Sequence, residues 1–165
     1  MLPGASERWV RIPDGNPGRL ATLVRMAKMI REPDPLLGLV VALDAMPDAV
    51  FAWVQRYLLY QLDRVDDLVV DELHTPGYLL AEIARYGHAF GDCDDFVILL
   101  GALYRRLGYP VQMVAISRRA DRELDHVYLR LAVDGEWIAA DGIVPYPFGW
   151  EVSEREITNR VEMMV

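Results

Sequence analysis

Residues 91–116, GDCDDFVILLGALYRRLGYPVQMVAI, decide the fold of this chain. The pattern predicts a helix that begins near Asp92 and continues to Gly108, with Pro110 just beyond it as a stop signal. The interior of this helix is apolar nearly all round, which is typical of a helix covered on several sides. Residues 111–117 then follow a strand pattern. We therefore expect a central helix followed directly by a strand.

A β-hairpin is predicted over residues 126–141, HVYLRLAVDGEWIAAD. Asp134-Gly135 is a favoured two-residue turn between two runs of period two. With that turn, Tyr128 lies opposite Asp141. Side chains alternate along a strand, so His126 shares a face with Tyr128 and has Asp141 as its diagonal neighbour.

Four helices are predicted before residue 91, from apolar residues at helical spacing or from a cap followed by proline. The apolar face of the first consists of Leu20, Leu23, Val24, Ala27 and Ile30. The other three are marked by Asp34-Pro35 opening residues 36–43, by Asp48, and by Thr75-Pro76 with Gly87 as the end. The tail from Tyr146 is ambiguous, and residues 145–149 are expected to form an irregular surface turn.

Composition limits the class of protein. The chain has 165 residues, 53% of them hydrophobic, which is enough for one domain with a real core. A net charge of −8 is a poor match for nucleic acid or an anionic membrane surface. Cys93 is the single cysteine, which excludes an internal disulfide framework and a CxxC zinc site. No apolar run is long enough to span a membrane, and no signal peptide is recognisable, so we expect a cytosolic protein.

Cys93 is the strongest candidate for chemistry. At the start of a helix its thiol meets unpaired N–H groups and the positive end of the helix dipole, which lower a thiol pKa. Three neighbouring carboxylates oppose this effect, those of Asp92, Asp94 and Asp95. A cation is therefore needed nearby, and His126 is the natural candidate. A carboxylate at Asp141 can orient the His126 imidazole and stabilise its charged form.

In this combination the sequence resembles the transglutaminase-like, papain-related cysteine enzyme superfamily. The shared pattern is Gly-x-Cys opening a helix, Arg-x-x-Gly-apolar-Pro ending it, His-apolar-aromatic on a strand, and Trp a few residues before Asp. The resemblance is closest to compact bacterial and phage or prophage proteins, in which an E-L-x-T-P segment, here residues 72–76, precedes Gly-Asp-Cys-Asp-Asp. It covers about residues 48–150. Where the superfamily usually has Asp-Pro, this chain has Asp141-Gly142.

The resemblance implies an α+β, papain-like fold, in which a central helix carrying the cysteine packs on an antiparallel sheet of three or more strands. Residues 1–47 would be a helical extension and residues 48–165 the catalytic domain, together one compact unit. Carried over to this chain, the motif makes Cys93 the nucleophile, His126 the general base and acid, and Asp141 the orienting carboxylate. It implies neither a metal nor an organic cofactor.

Several residues have more than one interpretation. Asp92, Asp94 and Asp95 either cap the helix or recognise a cationic or amide-bearing substrate. A metal site built from Asp92, Asp94, His88 and Cys93 is a weaker alternative. The oxyanion hole is expected to use the N–H of Cys93 and, by analogy with the superfamily, Tyr60. Trp137 is expected on the His126 face of the sheet, as packing or as a wall of the cleft. His74 and His88 are expected to be solvated.

We therefore expect cysteine-dependent acyl transfer on an amide, with hydrolysis favoured over crosslinking because a small open site admits water. The substrate would be a peptide or protein, neutral or cationic, since part of the negative charge clusters around the thiol. Two alternatives remain open. One is a structural or assembly role among the virion proteins of a phage or prophage, which would make the protein virion-associated, and the other is peptide binding without turnover.

Overall fold

The computed structural model describes residues 8–10, 15–40, 46–62 and 71–165. The helices are α1 (Asn16–Arg31), α2 (Leu37–Val40), α3 (Pro47–Tyr57), α4 (Pro76–Tyr86) and α5 (Cys93–Arg106), with a 3-10 turn at Glu154–Glu156. The strands are β1 (Arg8–Val10), β2 (Leu58–Tyr60), β3 (Asp71–Leu73), β4 (Ala89–Gly91), β5 (Val111–Ser117), β6 (His126–Val133), β7 (Glu136–Ala140) and β8 (Asn159–Met164).

Local signals set the limits of the helices. In α4 the hydroxyl of Thr75 accepts a hydrogen bond from the N–H of Tyr78, and Gly87 ends the helix with φ 81°. Asp34 accepts from the N–H of Leu36 at 2.9 Å, so the predicted cap forms a turn and α2 begins two residues later than Pro35. The part of the predicted second helix beyond residue 40 lies outside the described residues.

The predicted apolar face of α1 is wrong in part. Leu20 and Val24 are 39% and 60% exposed. The helix instead turns Thr22 and Met26 inward, next to the predicted core residues Leu23, Ala27 and Ile30. This rotation brings α1 against α5, and near the C-terminal end of α1 Ile30 lies so close to Gly101 that a Cβ added to that glycine would be 3.0 Å from it.

The central helix α5 is confirmed. Its residues 94–104 are all buried, because α1, α3, α4 and the sheet pack around it. Asp92 caps its start, and the first turn is therefore held in place at the point where Cys93 lies. The large hydrophobic cluster of the protein includes this helix and the facing side of the sheet.

The main sheet is antiparallel, with strand order β7-β6-β5-β8. The predicted hairpin is confirmed, since Val133 pairs with Glu136 and Leu131 with Ile138. Strand β8 fills the tail that the sequence left ambiguous. On β6, Val127, Leu129 and Leu131 face α5, whereas Tyr128 belongs to a smaller cluster on the far side of the sheet.

Two small sheets complete the fold. Strands β1 and β3 pair antiparallel, and β2 and β4 pair parallel, with Tyr60 opposite Gly91. The N–H of Gln61 donates to the carbonyl of Gly91 at 2.9 Å, which extends the parallel pairing to the residue that precedes the cap of α5. Within the part of the chain that is described, no helix combines the length and the apolar character needed to cross a membrane.

Candidate active site

Cys93 is the first residue of α5. The side chain of Asp92 accepts a hydrogen bond from the N–H of Asp94 at 3.0 Å, which fixes this helix start. The Cys93 side chain is partly buried, and its Sγ lies 3.8 Å from Oδ1 of Asp94. The helix dipole favours a thiolate here, whereas the neighbouring carboxylates disfavour it. The charge state of the thiol therefore depends on the cations around it.

The hairpin brings His126 and Asp141 together. His126 is the first residue of β6, Asp141 directly follows β7, and His126 Nε2 lies 2.7 Å from Asp141 Oδ2. Their side chains are only 15% and 6% exposed, so water screens this pair weakly. Because the carboxylate engages Nε2, Nδ1 is the nitrogen that can exchange a proton with a thiol.

One cavity of about 190 Å³ is lined by both Cys93 and His126. It lies at the end of the sheet where β6 begins and beside the start of α5. Besides the His126 imidazole, the charged groups that line it are the guanidinium of Arg19 and the carboxylates of Asp92, Asp94 and Asp125. The cavity is therefore negative overall when His126 is neutral.

Tyr60 also lines this cavity. Its position follows from the β2–β4 pairing, which places Tyr60 opposite Gly91. Gly91 precedes Cys93 by two residues in the chain. Burial raises the pKa of Tyr60, and the nearby charges of Cys93 and Asp92 raise it further. The phenol therefore keeps its proton at neutral pH and can donate a hydrogen bond into the cavity. Its role as an oxyanion donor stays a proposal.

Asp92, Cys93 and Asp94 also form a group of described residues whose possible metal-ligating atoms all lie within 4.8 Å of one another. The donor set is mixed, because a thiolate favours softer metals than carboxylates do. Asp92 already serves as the cap of α5. The expected roles of Asp92 and Asp94 in substrate recognition remain open, since both line the cavity.

Two predicted substrate contacts are revised. Asp95 is 0% exposed, and both of its carboxylate oxygens are bonded to His74, so it faces away from the cavity that Cys93 lines. Trp137 pairs with Ala132 beside the hairpin turn and is 45% exposed. It is therefore six residues along β6 from the His126 end, about 20 Å away, and it does not line this cavity. His74, expected to be solvated, is buried.

Helix α1 supplies residues that the sequence did not reveal. Arg19, Thr22 and Leu23 line the cavity, so residues assigned to a helical extension form one of its walls. No local signal marks Thr22, because it lies off the predicted apolar face and becomes buried only through the observed rotation of the helix.

The unusual Asp141-Gly142 pair has a physical reason. A Cβ added to Gly142 would lie 2.5 Å from the ring of Phe96 in α5, so the chain after Asp141 runs directly against the helix that carries Cys93. Gln55 of α3 holds the same segment, because its Nε2 donates to the carbonyls of Gly142 and Val144 at 3.3 and 3.2 Å. Gln55 therefore helps to hold the segment after Asp141, a role that the sequence did not indicate.

No family model and no curated protein sequence matches this chain. Among solved structures, a candidate protease from Parabacteroides distasonis has a TM-score of 0.53 and 13% identity, covering 77% of this chain and 26% of its own. The two chains share a fold over the matched residues. A candidate cysteine protease from Cytophaga hutchinsonii has a TM-score of 0.47 and 15% identity over 84% of this chain and 51% of its own. A transglutaminase has a TM-score of 0.39 and 15% identity over 88% and 37%.

These identities are low, so the likeness concerns the fold and not the activity. The chain spans only about a quarter of the Parabacteroides protein and half of the Cytophaga protein.

Proposed function

We propose that this protein is a cysteine hydrolase of amide bonds, in which Cys93, His126 and Asp141 act together. The observation that carries the proposal is that Cys93 and His126 line one cavity, while Nε2 of His126 lies 2.7 Å from Asp141. A nucleophile, a base and a group that orients the base are the parts that acyl transfer requires.

In the first step, Nδ1 of His126 takes the Cys93 proton, and the thiolate attacks the carbonyl carbon of the amide to form a C–S bond. The C–N bond breaks as the imidazolium gives its proton to the leaving amine, which leaves a thioester on the enzyme. In the second step, His126 takes a proton from water, the hydroxide oxygen attacks the thioester, and the C–S bond breaks as the imidazolium returns its proton to the sulfur. The products are a carboxylic acid, an amine and the restored thiol.

Asp141 keeps the His126 ring oriented and stabilises its charge between the two proton transfers. The N–H of Cys93 and the hydroxyl of Tyr60 are the proposed donors to the developing oxyanion. Hydrolysis is favoured over transfer to a second amine because the cavity opens to solvent beside the partly exposed thiol.

The charge of the cavity favours a neutral or cationic substrate. Asp92, Asp94 and Asp125 outnumber Arg19 among its lining residues, so an anionic group near the scissile amide would be repelled. A peptide or protein segment with lysine or arginine next to the cleaved amide is the substrate class we propose. A location in the cytosol accords with the single cysteine of the sequence, which cannot form an internal disulfide.

The test is the pH dependence of Cys93 alkylation by iodoacetamide, measured on the wild type, His126→Ala and Asp141→Asn. For an activated thiol, the midpoint of the pH dependence of alkylation lies well below about 8.5, the pKa of an ordinary cysteine. Both substitutions should move this midpoint to higher pH. Two matched controls, His88→Ala and Asp134→Asn, remove the same groups outside the cavity and should leave the midpoint unchanged.

Turnover is tested on a set of peptides that carry lysine, glutamine or glutamate next to the scissile amide, with amine release as the readout. A wild-type midpoint near that of an ordinary cysteine, unaffected by His126→Ala, would refute the proposed function. Association with virion proteins that persists in Cys93→Ser would support the assembly role instead.

A further inference from the structure

A second histidine–carboxylate pair lies beneath the first turn of α5, outside the candidate active site. His74 follows β3 directly, and Asp95 is the third residue of α5. The backbone N–H of His74 donates to Oδ1 of Asp95 at 3.0 Å, and Nδ1 of its ring lies 3.0 Å from Oδ2. One residue therefore engages both oxygens of a carboxylate that is fully buried.

Asp95 also ties down the turn that carries the thiol. It accepts a hydrogen bond from the backbone of Asp92, so the third residue of the helix reaches back to the cap. Its Cβ lies so close to Gly91 that a Cβ on that glycine would be 2.6 Å away. The Asp95 side chain therefore contacts both residues that precede Cys93, Gly91 and Asp92.

Acidic side chains lie on two sides of the His74 ring. His74 Nε2 lies 3.5 Å from Glu72, so two carboxylates flank the ring and favour its charged form. Burial raises the pKa of Asp95, and the hydrogen bonds from His74 partly reverse that effect. The ring of Tyr78 stacks on His74 with centroids 4.8 Å apart, and Glu82 lines the adjoining cavity of about 260 Å³.

Resting on the proposed function, we propose that His74 and Asp95 are positioning residues for Cys93, and that the His74 imidazolium compensates the buried Asp95 charge so that this charge does not oppose the thiolate. Residues two apart on a helix point to nearly opposite sides. Asp95 therefore acts on the thiol through its charge and through the helix turn, without contact with substrate.

The experiment compares His74→Asn, Asp95→Asn and the double variant by the pH dependence of Cys93 alkylation. His74→Asn keeps a hydrogen-bond donor near the position of Nδ1 but carries no charge, and Asp95→Asn keeps an acceptor for the backbone N–H of His74. At a pH where Asp95 is ionised, His74→Asn leaves its charge uncompensated, so the alkylation rate should fall there by about tenfold. Removal of both groups should restore most of that loss.

A purely structural role makes a different prediction, because the double variant would then lose at least as much as the worse single variant. That result, or a wild-type alkylation profile for His74→Asn, would overturn the proposal. If His74→Asn does not fold, Asp95→Asn alone tests the proposal. Removal of a negative charge should lower the midpoint of the pH dependence of alkylation, and a raised midpoint would overturn the proposal. His88→Asn is the matched control and should match the wild type.

Alkylation reports on the thiol itself, so this test does not require turnover. The proposed function fails if His126→Ala leaves the alkylation profile unchanged, whatever the His74 variants show. The two proposals can therefore fail separately.

Discussion

Replacement of Gly142 by alanine tests how the sheet and the Cys93 helix are coupled. The added Cβ would lie 2.5 Å from Cδ1 of Phe96 and 3.3 Å from two further ring atoms. Carbon atoms pack best at about 3.5–4.0 Å, so the ring or the chain must move by about 1 Å. Phe96 is only 3% exposed and lies in the most buried helix, which leaves little space for it to move.

Overpacking of this kind costs about 1–3 kcal/mol. For a protein of this size, that lowers the melting temperature by about 2–12 °C. The residue before Gly142 is Asp141, whose carboxylate lies 2.7 Å from His126, and a displacement of about 1 Å at such a site can reduce the rate by about 100-fold. We therefore expect Gly142→Ala to lower the melting temperature and the rate of Cys93 alkylation together.

Differential scanning fluorimetry and the iodoacetamide rate measure the two effects. Gly38→Ala is the matched control, because no atom lies within 4 Å of its added Cβ, and in a helix it should raise stability slightly. Phe96→Leu in the Gly142→Ala background should recover part of the loss, since the two changes share one contact. A Gly142→Ala protein with wild-type melting and alkylation would refute the coupling.

Three further outcomes are expected. Asp141→Asn should lower amide hydrolysis by about 100-fold or more while Asp134→Asn does not, and equal rates would remove Asp141 from the mechanism. Tyr128→Phe removes the 2.5 Å hydrogen bond to Glu151 and should lower the melting temperature, at a cost of about 1–3 kcal/mol; unchanged melting would mean that this bond adds no stability. Burial raises the pKa of the Asp95 carboxyl above 3.8. The folded protein therefore keeps the carboxyl proton at pH values where the unfolded chain has lost it, and the contribution of Asp95 to the free energy of unfolding falls as pH rises through that window. Asp95→Asn should therefore flatten the dependence of melting temperature on pH in the acidic range, and an identical slope would contradict the pKa direction.

The elements with strong local signals were predictable. The cap, the apolar run and the terminal proline define α5, and the Asp134-Gly135 turn fixes the hairpin register that brings Asp141 to His126. Strands β2 and β4 have three residues each, too few for periodicity to mark them. Strand β8, NRVEMM, lacks clear alternation between apolar and polar residues, so only its pairing with β5 defines it.

The buried His74–Asp95 pair was not predictable from local pattern. The two residues are 21 positions apart, and nothing next to His74 indicates its burial. Helix geometry alone could have separated Asp95 from the cavity, because it lies two residues after Cys93 and so points to the opposite side of the helix. Arg19 reaches the cavity by the packing of α1, and Gln55 reaches the segment after Asp141 by the packing of α3. No local pattern encodes either contact.

The burial of α5 has a consequence for how Cys93 can be probed. A helix buried along residues 94–104 has no surface from which to open locally, so its amide protons should exchange with solvent only when the whole domain unfolds. Cys93 lies at the end of this most protected segment. Any fast modification of its sulfur therefore reports on the native state, and not on a transient opening of the chain.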